Sequence, residues 1–233
     1  MPLCRYDLHI GGICTLNTQT HPDTETVNNI VVQTTSKADS TYIQYNQIVQ
    51  QNTYHFYLSG QIKDPIKYVD MIHTMKTAKT GDIVHIYLNS TGGQVATGVQ
   101  LIIAMRFSSA HIICHIEGKV CSMASTIFLA ADEFIVHDDI ILMLHNTATG
   151  VQHGKVNEGI LHISAIERWC TTAMREYYIP FISESEFGDM IRGTDIWLSA
   201  PEIKERLIIM VNLRNKQPKP KKQKSDVFSI KYA

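Results

Sequence analysis

Three β-like runs, each followed by a stretch with apolar residues three or four apart, constrain the fold of this chain more than any other feature. The first run is Tyr54-His55-Phe56-Tyr57-Leu58, closed by Ser59-Gly60. Pro65 then opens a helical stretch to Lys79, with Ile66, Val69, Ile72 and Met75 on one face. The second run, Ile83 to Leu88, ends in Asn89-Ser90-Thr91-Gly92-Gly93 and gives way to a helix carrying Val95, Val99, Ile102 and Met105. The third, His111 to Ile116, is expected to turn at Glu117-Gly118 and lead to Ser122, where an apolar helix runs to Ala131. Alternation of this kind predicts an α/β fold with a mostly parallel sheet.

Further along, Phe134-Ile135-Val136 and Ile140 to Leu144 read as short strands, the second ending at His145. Helices are expected over Val156 to Tyr178, stopped before Pro180, and over Glu184 to Ile191. Asp195-Ile196-Trp197-Leu198-Ser199 follows. Ser199 reads as the N-cap of a short last helix, with Pro201 just inside it and Glu202 in its first turn. Leu207 to Val211 reads as a final strand.

Composition sets the boundaries. Of the 233 residues, 1–50 are rich in Thr, Asn, Gln and Asp and read as a polar arm or hairpin, with β-like runs at Asn29 to Thr34 and Thr41 to Tyr45. Residues 51–213 are expected to form the core domain. Residues 214–233 hold seven Lys/Arg against one Asp/Glu and two prolines, which predicts a basic flexible tail. The formal net charge of −1 is therefore a sum of unlike parts: residues 1–213 hold 14 basic and 21 acidic residues. Such a body carries no nucleic-acid footprint, and the tail reads as a solvated spacer.

Five cysteines, at positions 4, 14, 114, 121 and 170, are odd in number and form no CxxC, so neither a disulfide framework nor a zinc ribbon is expected. They fit a reducing compartment. The start, interrupted by Arg5, Asp7 and His9, does not read as a signal peptide. No apolar run approaches the ~20 residues of a membrane span. These features predict a soluble cytoplasmic protein with no membrane partner. His111 and His115 flank a strand, so they predict no metal site, and nothing calls for a cofactor.

Three residues could carry chemistry. Ser122 stands at a strand-to-helix turn, where a hydroxyl is exposed at a sheet edge and the next N–H, that of Met123, can face an oxyanion. The same serine would also serve as a plain helix N-cap, and Cys121 beside it is a rival nucleophile or a small buried hydrophobe. His145 ends a strand, where an α/β fold places ligand-facing groups. Asp195, expected partly buried beside Trp197, could orient a histidine. The Gly92-Gly93 turn lets backbone approach a ligand closely, and it lacks the Lys of a phosphate-binding loop.

Five motifs in order give these residues a context. Leu58-Ser59-Gly60-Gln61-Ile62 resembles the opening strand end of the ClpP-type serine peptidases, the proteolytic subunits of the Clp protease. Leu88-Asn89-Ser90-Thr91-Gly92-Gly93 resembles that family's I-N-S-P-G-G loop, and Gly118 to Ala124 its G-x-A-A-S-M-G. Met143-Leu144-His145 resembles M-I-H, and Asp195 to Ala200 resembles D-x-aromatic-L-S-A. Thr91, Ala124 and Asn146-Thr147 depart from the pattern.

The resemblance implies the spiral of ββα units that ClpP shares with the crotonases. It implies a triad of Ser122, His145 and Asp195, an oxyanion hole of Gly93 and Met123, and substrate contacts at Gly92 and Thr147. It also implies polypeptide substrates, heptameric rings stacked into a tetradecamer joined by the Val156 to Tyr178 helix, and an AAA+ unfoldase as partner. A viral capsid-maturation protease, an inactive ring subunit and a crotonase-like acyl-CoA enzyme are the alternatives on this architecture.

Overall fold

Val84, Ile86 and Leu88 are fully buried and alternate with the half-exposed His85 and Tyr87. That period of two defines a strand whose one face lies on the core. The computed structural model describes residues 32–35, 44–47, 51–148 and 155–216, and the chain divides into two units, Met1–Gln51 and Asn52–Ala233. In the first unit, β1 (Val32–Thr35) pairs antiparallel with β2 (Gln44–Gln47), as a hairpin would. Residues 29–31 and 41–43 of the expected β-like runs lie outside the described residues.

The second unit runs β3 (Thr53–Ser59), a 3-10 turn (Pro65–Tyr68), α1 (Val69–Thr77), β4 (Ile83–Ser90), α2 (Val95–Arg106), β5 (His111–Cys121), α3 (Met123–Leu129), β6 (Glu133–Val136), β7 (Ile141–Leu144), α4 (Val156–Tyr178), α5 (Glu184–Ile191), β8 (Ile196–Ser199) and α6 (Ala200–Lys216). Its sheet has the order β3-β4-β5-β7-β8, with β6 also on β5. Every pairing is parallel except β7 with β8. The expected α/β fold with a mostly parallel sheet is therefore the one observed.

Two expectations are corrected. The turn at Glu117-Gly118 is a bulge inside an 11-residue strand. Leu88 pairs with Ile116 but Ser90 with Val120, so β5 carries two extra residues there. Gly118 absorbs them at φ 138°, against the Asn89 side chain, a conformation that suits only glycine. The long strand can then pair with β6 through Ile113–Ile116 and with β7 through Lys119–Cys121.

The second correction is Leu207 to Val211, which belongs to helix α6. Ile203, Leu207 and Met210 are spaced for one helical face and buried, while Ile208 and Ile209 are exposed. Ser199 stands immediately before α6, and its N–H donates to the Glu202 carboxylate at 2.8 Å. Arg214 and Lys216 continue this helix, and residues 217–233 lie outside the described residues.

All seven residues of α3 are buried, so it forms the centre of the core. Helix α4 is divided. Cys170, Met174 and Tyr178 in its last turns are buried, whereas Ile160, Leu161 and Trp169 are exposed. On the sheet's other face, the His55 ring stacks on His85, and Tyr57 and His115 each stack on Tyr87. Burial there holds the His85 and His115 imidazoles below their ordinary pKa. No described helix is long and apolar enough to cross a membrane.

Candidate active site

Strand β5 ends at Cys121, and Ser122 makes the turn into α3 at φ 58°, ψ −129°. It is the one non-glycine residue with positive φ among the described residues. Such a conformation costs about 1–3 kcal/mol and persists only where surrounding structure enforces it. Here Ser122 N–H donates to Met143 O at 2.9 Å, and Ser122 O accepts the Ser125 N–H at 2.9 Å. The serine is the N-cap residue of α3, yet its side chain makes no capping bond, which leaves Oγ free for chemistry. The neighbouring Cys121 is 1 % exposed, and burial raises its thiol pKa, so it is a poor nucleophile.

The Gly92-Gly93 loop packs directly on this turn. A Cβ on Gly92 would lie 2.6 Å from Ser122 Cβ and 2.7 Å from Cys121 O. A Cβ on Gly93 would lie 2.2 Å from Ile62 O. The loop is tied by Ile62 N–H to Gly92 O at 2.8 Å, by Gln94 N–H to Ile62 O at 3.0 Å, and by Gly92 N–H to the buried Ser90 Oγ at 3.1 Å. The N–H groups of Gly93 and Met123 are left without an acceptor among the described residues. They border the same cavity.

That cavity has a volume of about 250 Å³. It brings together six expected residues: Gly92, Gly93, Ser122, Met123, His145 and Thr147. Asp195 is not in its lining. It is exposed, which corrects the expected partial burial. The cause is its place just before the sheet-edge strand β8, after the Gly193 turn, beside a Trp197 that is itself 48 % exposed. The β7–β8 ladder pairs Leu144 with Ile196, and extending that antiparallel register by one step sets Asp195 opposite His145. Among the described residues no hydrogen bond joins Ser122 Oγ, His145 and Asp195.

Three polar residues escape the motif reading. Ser125 Oγ donates to Met143 O at 2.7 Å and approaches Val120 O at 3.2 Å. Thr126, in the cavity wall, bonds to the Tyr178 hydroxyl at 3.0 Å, fixing α3 to the end of α4. Burial pushes the Tyr178 phenol up to about 12. Asn146 Oδ1 accepts the Thr147 N–H at 2.7 Å, while its Nδ2 donates to Ile191 O at 3.0 Å. Ser125 and Thr126 read in sequence as ordinary helix residues, and only the departure at Asn146-Thr147 marks the third.

A second cavity, of about 180 Å³ and mostly apolar, shares Val95, Met123, Thr126 and Met174 with the first and extends between α2 and α4 to Cys170. No group of three or more metal-ligating side chains occurs among the described residues.

The match to known families agrees with this geometry. The family described as Clp protease matches residues 36–208, most of the chain, and includes every residue named in the site. Its reach back to residue 36 takes in part of the polar arm. With a mostly parallel α/β sheet delivering Ser122 and His145 to one cavity, the chain belongs to the Clp protease family, a family of peptidases.

Proposed function

We propose that this protein is a serine endopeptidase that cleaves unfolded polypeptides inside an oligomeric chamber. One observation carries the reading: Ser122, in a strained backbone with its hydroxyl unused by the helix cap, shares a cavity with His145 and the Gly92-Gly93 loop. Ser122 Oγ attacks the peptide carbonyl while His145 takes its proton and later returns it to the leaving amine. Asp195, opposite His145 in the strand register, steadies the imidazolium. The unused N–H groups of Gly93 and Met123 bind the oxyanion, each worth roughly 3–4 kcal/mol of barrier. Water then releases the acyl-enzyme. Gly92 and Thr147 hold the substrate backbone, and the adjoining apolar cavity takes the side chain before the cleaved bond.

Hydrogen bonds among catalytic groups are often long in an empty site and tighten around substrate. The exposed apolar residues Ile160, Leu161 and Trp169 on α4 support assembly, which we read as stacked heptameric rings fed by an AAA+ unfoldase. A second reading, a ring subunit that does not cleave, is favoured by the exposed Asp195 making no bond to His145.

Ser122→Ala is expected to lower peptide hydrolysis by about three orders of magnitude or more with the fold intact, and a fluorophosphonate is expected to label Ser122 of the wild type. Activity surviving Ser122→Ala, or label on Cys121, overturns the assignment. Absence of label under conditions where native mass reports a closed ring favours the non-cleaving subunit.

A further inference from the structure

Met143 O accepts two bonds from the turn that opens α3. One comes from the Ser122 N–H at 2.9 Å and the other from the Ser125 hydroxyl at 2.7 Å. A carbonyl oxygen has two lone pairs, so both are used. Met143 stands two residues before His145, in the last pair of the β5–β7 ladder, opposite Cys121. Beyond that pair, β7 has no strand partner on the β5 side among the described residues. Ser125 is 0 % exposed and lies in the first turn of α3, one residue before the cavity-lining Thr126. Its hydroxyl therefore ties the helix that follows Ser122 to the strand that delivers His145.

We infer that Ser125 is a positioning residue that sets the spacing between Ser122 and His145 through Met143 O. The inference rests on the serine-peptidase reading. Ser125 touches neither the substrate nor the reacting atoms, so its loss acts on the approach of Ser122 Oγ to the imidazole. Misplacement of about 1 Å in such a pair lowers rate by as much as a hundredfold. Ser122 N–H still holds Met143 O when the hydroxyl is gone, so a smaller loss, about tenfold, is expected.

The experiment compares the full-length wild type with Ser125→Ala and Ser108→Ala. Ser108 is the matched control: it is equally buried, its Oγ accepts the Ala110 N–H at 3.2 Å, and it lies between α2 and β5, outside the cavity lining. The readouts are the rate of fluorophosphonate labelling at Ser122, kcat and KM on a fluorogenic peptide, and Tm. The expected result is Ser125→Ala labelled about tenfold more slowly, with kcat falling in parallel and KM within twofold. Ser108→Ala should lower Tm by a similar amount yet keep a labelling rate within twofold of wild type. Wild-type labelling with an unchanged rate in Ser125→Ala, or an equal slowing in Ser108→Ala, overturns the positioning role and leaves the peptidase reading standing. A wild type that takes no label at Ser122 overturns the peptidase reading and this inference with it.

Discussion

Ser122 and His145 face one cavity, but they are held there differently. The turn carrying Ser122 is enclosed by backbone, so that a single added carbon at Gly92 or Gly93 would fall under 3 Å from its neighbours. The loop carrying His145 is secured by the two side-chain bonds of Asn146, and Asp195 opposite it is exposed. Beneath that side, helices α5 and α6 are joined by Arg206 to Glu186 at 2.7 Å, and Glu186 also accepts the Ser183 N–H at 2.8 Å to cap α5. Steric enclosure is insensitive to pH and salt but tolerates no extra atom. Polar ties accept small changes of shape but fail one bond at a time.

The sharpest way to break this contrast is Gly93→Ala. The new Cβ meets the Ile62 carbonyl at 2.2 Å, at φ 149°, and neither backbone can yield cheaply. A loss of more than about a hundredfold in kcat/KM is expected, with about 2–3 kcal/mol of stability removed. A fall in Tm of about 5 °C or more, read by differential scanning calorimetry, accompanies it. Near-normal hydrolysis by this variant would show that the Ser122 side is not sterically fixed.

Asn146→Ala tests the other side. Two hydrogen bonds of about 1 kcal/mol each are removed, which corresponds to a loss of roughly five- to thirtyfold in kcat. Stability should fall by at most about 2 kcal/mol, the net worth of the two bonds. Steady-state kinetics with Tm measured in parallel separates the two effects. A loss as large as that of Gly93→Ala would erase the contrast.

The smallest effect is expected at Glu186. Its side-chain bond to Arg206, with those from Ser183, holds the carboxyl at about 2, below the ordinary 4.5. A carboxylate lowered in the folded state stabilises fully above its unfolded pKa and loses that contribution as pH falls towards 2. Glu186→Gln should lower Tm at pH 7 by about 2–4 °C, since the pair is only partly buried. It should also flatten the fall of Tm between pH 4.5 and 2. An unchanged slope would mean that other carboxylates govern acid sensitivity on this side.

The same division explains what is legible in the amino-acid sequence. The Ser122 turn and the glycine loop are local: strand, special backbone and helix follow one another, so residue type and order announce them. The alternation of apolar positions likewise announces β4, β5 and α3. The bulge at Gly118 reads as a turn because a glycine at positive φ serves both, and only pairing with two successive strands separates them. Leu207 to Val211 reads as a strand because five apolar residues in a row hide a period of 3.6. The burial of Leu207 and Met210 against exposed Ile208 and Ile209 reveals it. Ser125, Thr126 and Asn146 act on partners 18, 52 and 45 residues away. No local pattern encodes such bonds, and the exposure of Asp195 depends on a sheet edge that sequence does not mark.

The bulge in β5 has a consequence of parity. It inserts two residues between the Leu88–Ile116 and Ser90–Val120 pairs, and two is an even number. Side chains alternate across a strand with a period of two, so an even insertion leaves inside and outside unchanged. Ile116 before the bulge and Val120 after it are both fully buried. A net insertion or deletion of a single residue between Gly118 and Cys121 would turn Val120 to the opposite face and displace the start of α3. Loss or gain of a pair would preserve the alternation. Length variation in this strand is therefore permitted in steps of two, and Ser122 keeps its orientation only along that series.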